Sequence, residues 1–346
     1  MMVVFAMAAV LWGTGMAMGT AKRARWVMIG ILFAAVILIQ VTLPNGHPLR
    51  EATGGDVRLW ALLLAFGGIA IGYRRLLRGL RNRAQSGTAE ASSDGKFSAS
   101  ELDRYARHIM LREVGGQGQK ALHNASVLVV GAGGLGSPAL QYLAAAGVGT
   151  IGVIDDDVVD NSNLQRQIIH IDSRIGDPKV QSAADAMTAQ NPYVTVRPYN
   201  RRLTADIAAG IIADYDLVLD GTDNFATRYL VNETCVALGK PLISAALTQW
   251  EGQISLYDPA HDGPCYACVF PTAPDADLVP SCAEAGVIGP LAGAVGSMMA
   301  VEAVKALTGA GDTLRGRLMI YDALYAQTRV ISVKRDVACA VCAAPK

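Results

Sequence analysis

Charge and aromatic side chains are scarce in this sequence. Only 17% of the 346 residues are Asp, Glu, Lys or Arg, 6% are aromatic, and 30 basic residues balance 30 acidic ones. No basic excess marks a nucleic-acid-binding body, whose footprint is a positive patch on the folded domain. Histidine is rare too: His47, His108, His123, His170 and His261 are the whole set, and none lies in a pattern that suggests a hydride relay. No basic residue precedes the first apolar run, Val3 to Gly19, which argues against a cleaved signal peptide. Six cysteines make an unusual disulfide set for so long a chain, and two C-x-x-C pairs among them point to metal binding in a reducing compartment.

The neutral total conceals a division. Residues 1–97 hold 11 Lys/Arg against 4 Asp/Glu, and the remainder holds 19 against 26. A basic, membrane-proximal front joined to a mildly acidic body is the expected layout. Uncharged apolar runs at 3–19, 26–43 and about 59–75 predict three transmembrane helices, the third marginal in length, with an interfacial or re-entrant helix as its alternative. The clusters "KRAR" at 22–25 and "RRLLRGLRNR" at 74–83 both belong on the cytoplasmic side under the positive-inside rule. The expectation is a membrane anchor over 1–83 in the inner, cytoplasmic membrane, a flexible small-residue linker over 84–100, and a globular domain over 101–346 facing the cytoplasm.

The globular domain opens with "ASVLVVGAGGLGSPALQYLAAAGVGTIGVIDDD". An apolar β-branched run, a glycine turn, an Ala/Leu-rich helical stretch and a second apolar run ending in acids predict a βαβ unit, with G-x-G-x-x-G on Gly131, Gly133 and Gly136. The fold class is α/β, a Rossmann-like nucleotide-binding fold with a mostly parallel sheet. Glycines here let backbone amides at a helix N-terminus approach phosphate oxygens, and Asp155 stands where a carboxylate meets ribose hydroxyls. A tight turn needed only for packing is the alternative.

The residues that follow suit a triphosphate better than a nicotinamide ring. "DNSNLQRQIIH" (160–170) and "IGDPK" (175–179) bring Asn163, Arg166 and Lys179 to the strand end. "YDLVLDGTDN" (215–224) places Asp220 and Asp223 at the end of another strand, where one or two carboxylates can hold Mg²⁺. Singly, each has a duller reading: Arg166 as a surface ion pair, Lys179 as a solvated lysine, Asp220 or Asp223 as a helix N-cap. Together at successive strand ends they point to a phosphate-handling site.

With "LDRYARHIMLREVGGQGQKAL", "VLDGTDNFATRYLVN", "WEGQISLY", "CYAC" and "CAEAGVIGPLAG" added, residues 102–342 closely resemble the MoeB/ThiF family. These are sulfur-carrier adenylyltransferases related to the ubiquitin-activating enzymes. The resemblance implies that Gly134 and its neighbours, with Asp155, contact ATP phosphates and ribose, and that Ser162, Asn163 and Arg166 line the nucleotide path. Lys179 would neutralise phosphate charge, Asp223 and Asn224 would sit at the Mg²⁺ end, and Arg107 would reach across a homodimer interface. The implied reaction is adenylation of the C-terminal glycine of a ubiquitin-like sulfur carrier, in molybdopterin or thiamine biosynthesis, with no nucleic-acid partner. Typical members are soluble, so the front segment is a departure. A dehydrogenase on the same fold and an inactive membrane adaptor are the competing readings.

Cys265, Cys268, Cys339 and Cys342 form two metal-type pairs, and four thiolates suit a closed, structural Zn²⁺ site. Cys282 stands apart, and the resemblance implies a loop cysteine that some members use covalently. Cys235, in a helix-like stretch, is expected to be a buried small apolar residue. "GPLAGAVGSMMAVEAVKALTG" (289–309) is expected to form a core or dimer-interface helix. The sulfur donor is expected to be a separate protein.

Overall fold

The computed structural model describes residues 2–20, 22–56, 58–60, 62, 66–69, 72–76, 97–273 and 286–343. They fall into two compact units, Met1–Ala89 and Glu90–Lys346.

The front unit is helical. Helices Met2–Ala17 and Lys22–Thr42 are followed by a short helix Pro48–Ala52. Val4, Val36 and Trp60 are buried together, and Phe33 packs edge-on against Trp60 with centroids 5.7 Å apart. Trp12 meets Trp26 at 5.1 Å, with the Arg25 guanidinium 5.3 Å above the Trp12 ring. Gln40 is buried and donates to the Arg50 carbonyl (3.0 Å) and Thr53 Oγ1 (2.8 Å), which ties the end of the second helix to the turn after it. Val10, Trp26, Ile31, Leu38 and Val41 lie exposed, an apolar exterior that water does not favour.

The expectation of three spanning helices needs correction. Among the described residues two helices are long and apolar enough to cross a membrane, Ala24–Thr42 and Gly289–Thr308, and the second belongs to the globular body. Met2–Ala17 has 16 residues, about 24 Å of helix against a hydrocarbon core of about 30 Å. The expected third run, 59–75, lies partly outside the described residues, as does most of the expected linker.

In the body, eight strands form one mixed sheet in the order β3-β2-β1-β4-β5-β6-β7-β8. Their ranges are β1 Ser126–Val130, β2 Thr150–Asp155, β3 Thr195–Asn200, β4 Leu217–Asp220, β5 Leu242–Leu247, β6 Glu251–Tyr257, β7 Arg317–Asp322 and β8 Gln327–Ser332. The first five strands pair in parallel, while β6, β7 and β8 join through antiparallel ladders. The sheet is mixed with mostly parallel strands, as expected, and its antiparallel edge arises because β5–β6 and β7–β8 are joined by short connections that only antiparallel pairs allow.

The central strands are buried on both faces, which explains their unbroken apolar runs. Val127 and Val129 of β1 face one core with Leu140, Leu143, Val180, Met187, Val295 and Met299. Leu128 and Val130 face the other with Ala208, Ile212, Val231 and Cys235. Helices Gly136–Ala146, Lys179–Gln190 and Gly289–Thr308 supply the first core, and Ala205–Ile212 and Phe225–Leu238 the second. Burying one such aliphatic side chain contributes about 1.5–3 kcal/mol. Residues 289–309 thus form a core helix of this unit, with Leu291, Val295 and Met299 inward. Pro198 sits on edge strand β3, where its missing N–H discourages further pairing. β1 has β2 on one side and β4 on the other, so the crevice beyond its C-terminal end is where the strand order reverses and ligands bind in such sheets.

Candidate nucleotide site and cysteine cluster

After Val130 the chain turns through Gly131 at φ +95°, a conformation that disfavours any side chain. Gly136 starts the following helix hard against that turn: a Cβ there would lie 1.9 Å from the Gly131 carbonyl oxygen. At Gly133 a Cβ would meet only Gln167 Nε2, at 3.7 Å, so this edge of the turn is open. Gly134 is closer to its surroundings, 3.1 Å from Ala292 Cβ. Among the described residues no intrachain acceptor takes the N–H groups of Gly133, Gly134 or Leu135. Free donors at a helix N-terminus, where the helix dipole adds positive potential, form a cradle for phosphate oxygens.

Asp155 stands beside that cradle. Its Oδ2 accepts the Ala132 N–H at 2.8 Å and its Oδ1 the Asp157 N–H at 2.9 Å. The carboxylate therefore braces the turn from the end of β2. Further on, Asp160 accepts both the Ser162 N–H (2.8 Å) and Ser162 Oγ (2.5 Å), bonds that hold its carboxyl below the ordinary value. Arg166 is folded back toward the turn: Nη2 donates to Asn163 Oδ1 at 2.6 Å and Nη1 to the Ser162 carbonyl at 3.2 Å. Ser162, Asn163 and Arg166 thus form one local unit beside Gly134. Lys179 is not a solvated lysine. Its side chain is 5% exposed, and Nζ lies 2.8 Å from Asp157 Oδ2, its one ion-pair partner.

At the end of β4 the two acids separate in role. Asp220 is buried, accepting from the Thr222 N–H (3.0 Å), Thr222 Oγ1 (2.7 Å) and Ser244 Oγ (2.8 Å), with Arg228 Nη1 at 3.6 Å. It is saturated by the fold and unavailable to a phosphate or cation. Asp223 is exposed and free of intrachain hydrogen bonds among the described residues. The N-cap considered for Asp220 or Asp223 falls to Asn224, whose Oδ1 accepts the Thr227 N–H at 2.9 Å and leaves its amide donors for other use. Arg107, on helix Ala99–Ile109, is exposed and has no ion-pair or hydrogen-bond partner among the described residues. Cys282 lies outside the described residues.

Two buried residues inside quoted motifs, to which the sequence pattern gave no role, complete the site. His170, buried, places Nε2 3.1 Å from the Ala132 carbonyl and Nδ1 3.0 Å from Ser182 Oγ. Burial lowers its pKa, and the nearby Lys179 charge adds to that, so the ring is held neutral. Arg228, also buried, donates to Ser244 Oγ at 3.1 Å and to the Thr222 carbonyl, and so orders the loop that carries Asp223. Three of their four partners lie 12, 38 and 16 positions away, and only Thr222, six positions from Arg228, is within a motif's reach.

The four predicted metal ligands converge. Cys265 Sγ is 3.7 Å from Cys268 Sγ and 3.6 Å from Cys339 Sγ, and Cys268 Sγ is 3.4 Å from Cys342 Sγ. Around Zn²⁺ with Zn–S of about 2.3 Å the tetrahedral edge is about 3.8 Å, and a disulfide needs about 2.05 Å. These separations fit a four-thiolate zinc site. Tyr229 and Val236 pack against the cluster, so it fixes the C-terminal segment to helix Phe225–Leu238, whose N-terminus carries Asn224. Cys235, on the same helix, is buried in the apolar core, and burial pushes its thiol pKa up.

Residues 105–341 match the profile of the ThiF family. The chain belongs to the ThiF family. It is 50% identical over 251 residues to a sulfur carrier protein adenylyltransferase of Thermus thermophilus, covering 71% of this chain and 93% of that protein. It is 48% identical over 246 residues to the SAMP-activating enzyme E1 of Haloferax volcanii, covering 71% and 90%. A probable adenylyltransferase/sulfurtransferase, MoeZ of Mycobacterium tuberculosis, is 51% identical over 243 residues, a match that spans 62% of that longer protein. Among solved structures, E. coli MccB with ATP aligns with a TM-score of 0.60 at 21% identity, covering 66% of this chain and 70% of MccB, a likeness of fold. None of these matches extends to the whole chain.

Proposed function

We propose that this ThiF-family chain is an adenylyltransferase that activates the C-terminal glycine of a ubiquitin-like sulfur-carrier protein with ATP. One observation supports the reading above others: the amides of Gly133, Gly134 and Leu135 have no intrachain acceptor among the described residues, and Arg166 packs against Gly134 at the same turn. In the reaction a carboxylate oxygen of the carrier bonds to the α-phosphorus while the bond to the bridging oxygen breaks, giving an acyl-adenylate and pyrophosphate. A carboxylate needs no general base, so the protein's task is positioning and stabilisation of spreading charge. The turn amides and Lys179 take the phosphate oxygens, and Arg166, steadied by Asn163, lines the same path. Asp223, exposed and without an intrachain partner among the described residues, would hold Mg²⁺, which would supply charge neutralisation on the phosphates. Arg107, exposed and unpaired, serves the partner's nucleotide in a homodimer.

The product serves molybdopterin or thiamine biosynthesis, with a separate protein donating sulfur. The front helices hold the enzyme at the cytoplasmic membrane; a body on the inside, with both basic clusters at 22–25 and 74–83 there too, requires a second crossing between residues 43 and 74 in addition to Ala24–Thr42. A reporter fused after Arg83 tests that topology, and a periplasmic signal would contradict it. For the chemistry, a carrier ending in Gly-Gly is incubated with ATP and pyrophosphatase and weighed intact. Gain of one adenylyl group supports the reading. No gain with any carrier, despite ATP binding, would favour a non-enzymatic adaptor.

A further inference from the structure

The glycine turn is gripped at one residue, Ala132, through the peptide on each side of it. The Ala132 N–H is taken by Asp155 Oδ2 at 2.8 Å, and the Ala132 carbonyl lies 3.1 Å from His170 Nε2. A carbonyl oxygen only accepts, so Nε2 carries the proton, and in the neutral ring Nδ1 then accepts from the Ser182 hydroxyl at 3.0 Å. Ser182 belongs to helix Lys179–Gln190, whose first residue is the buried Lys179. One imidazole therefore joins the helix that presents Lys179 to the turn that presents free amides.

The carbonyl it holds has a partner in the same plane. The Ala132 C=O and the Gly133 N–H belong to one rigid trans peptide and point in opposite directions. Fixing the carbonyl onto His170, inside the protein, points the Gly133 N–H outward, and no intrachain acceptor takes it. Were this peptide to flip, a carbonyl oxygen would face the phosphate and repel it. Gly133, on the C-terminal side of this peptide, has no Cβ to resist the change of φ that such a flip requires, so something outside the turn has to forbid it.

We propose that His170 is a positioning residue of the nucleotide site: by donating Nε2–H to the Ala132 carbonyl it locks the Ala132–Gly133 peptide with its N–H toward the ATP phosphates. The inference rests on the ATP-dependent adenylation proposed above and names a further residue of that site. It makes a distinction that a packing role does not. Glutamine places an Nε2 donor at nearly the same reach, whereas leucine fills the space without a donor.

The test uses detergent-solubilised full-length protein as wild type, His170→Gln and His170→Leu. ATP affinity is measured by calorimetry, carrier adenylation by kcat and KM for ATP, folding by thermal melting, and turn rigidity by hydrogen exchange at the Ala132 amide without ligand. His170→Leu is expected to weaken ATP binding about tenfold and raise KM more than it lowers kcat, the loss expected when a buried acceptor loses its donor. His170→Gln is expected to recover to within about a factor of three of wild type, the range of one neutral hydrogen bond. Ala132 exchange should quicken in the leucine variant alone. Equal impairment of both variants, or wild-type affinity in His170→Leu, would overturn the proposal. Wild-type protein that binds no ATP would defeat the adenylation reading instead, and the exchange measurement still decides whether His170 locks the turn.

Discussion

The glycine turn and the cysteine cluster are both built where distant parts of the chain meet, yet they treat their polar atoms in opposite ways. At the turn, Gly133, Gly134 and Leu135 keep their N–H groups free, and Asp223 stands unpaired. At the cluster, four sulfurs converge until they lie 3.4–3.7 Å from one another along the measured edges. Open donors suit a ligand that arrives and leaves, as a nucleotide substrate must. A closed set leaves no coordination position for a substrate and suits a permanent ion that staples the fold.

That contrast predicts different symptoms when each region is damaged. Cys339→Ser, or prolonged chelation, should lower stability by several kcal/mol and release zinc, because binding free energy at a structural site is folding free energy. Calorimetric melting with metal analysis checks it; an unchanged melting temperature after complete chelation would break the contrast. Gly136→Ala should come next. Its Cβ would fall on the Gly131 carbonyl, so a cost of about 1–3 kcal/mol, together with loss of ATP binding, is expected. Asp223→Ala should leave melting nearly untouched while lowering adenylation by about 10²-fold or more, the usual scale for removing a charge-stabilising group. Stability loss without activity loss in that variant would show that the exposed carboxylate serves the fold.

The smallest expected effect is on pH. The His170 pKa is lowered in the fold from an ordinary value of 6.5, chiefly by burial, with the hydrogen bond to the Ala132 carbonyl opposing, Lys179 assisting and Asp155 opposing more weakly. The unfolded chain therefore binds the proton more readily, and stability is full above about pH 6.5 and falls as pH drops below it. Urea unfolding of wild type and His170→Gln between pH 5 and 8 isolates this contribution, since glutamine does not titrate. An identical acid slope in both proteins would mean that His170 is not held neutral.

Local pattern made some of this legible before any coordinates. The glycine turn announces itself because three glycines, a β-branched strand and a terminal acid are consecutive, and the C-x-x-C pairs because ligand spacing within each pair is short. Asn224 rather than Asp220 or Asp223 capping its helix was less legible, since Asn and Asp both cap well and only backbone placement decides. His170 and Arg228 stand inside quoted motifs, yet their roles, like those of Ser182 and Ser244, were not legible, because the bonds His170–Ala132, His170–Ser182 and Arg228–Ser244 join partners that only the fold brings near. The antiparallel edge of the sheet was obscured for a similar reason: the apolar alternation of β6 and β7 does not state which neighbour they join. In the front unit, composition indicated an apolar anchor, but Met2–Ala17 is a 16-residue helix, short of an ordinary span.

The central claim is that ATP is consumed here as an AMP donor to a carrier's terminal glycine. Exchange of labelled pyrophosphate into ATP by the full-length enzyme, with and without a carrier ending in Gly-Gly, tests it most directly. The account predicts exchange that depends on the carrier and disappears when the terminal glycine is deleted. Exchange of equal rate without any carrier, or none with every sulfur carrier offered to an ATP-binding enzyme, would contradict it.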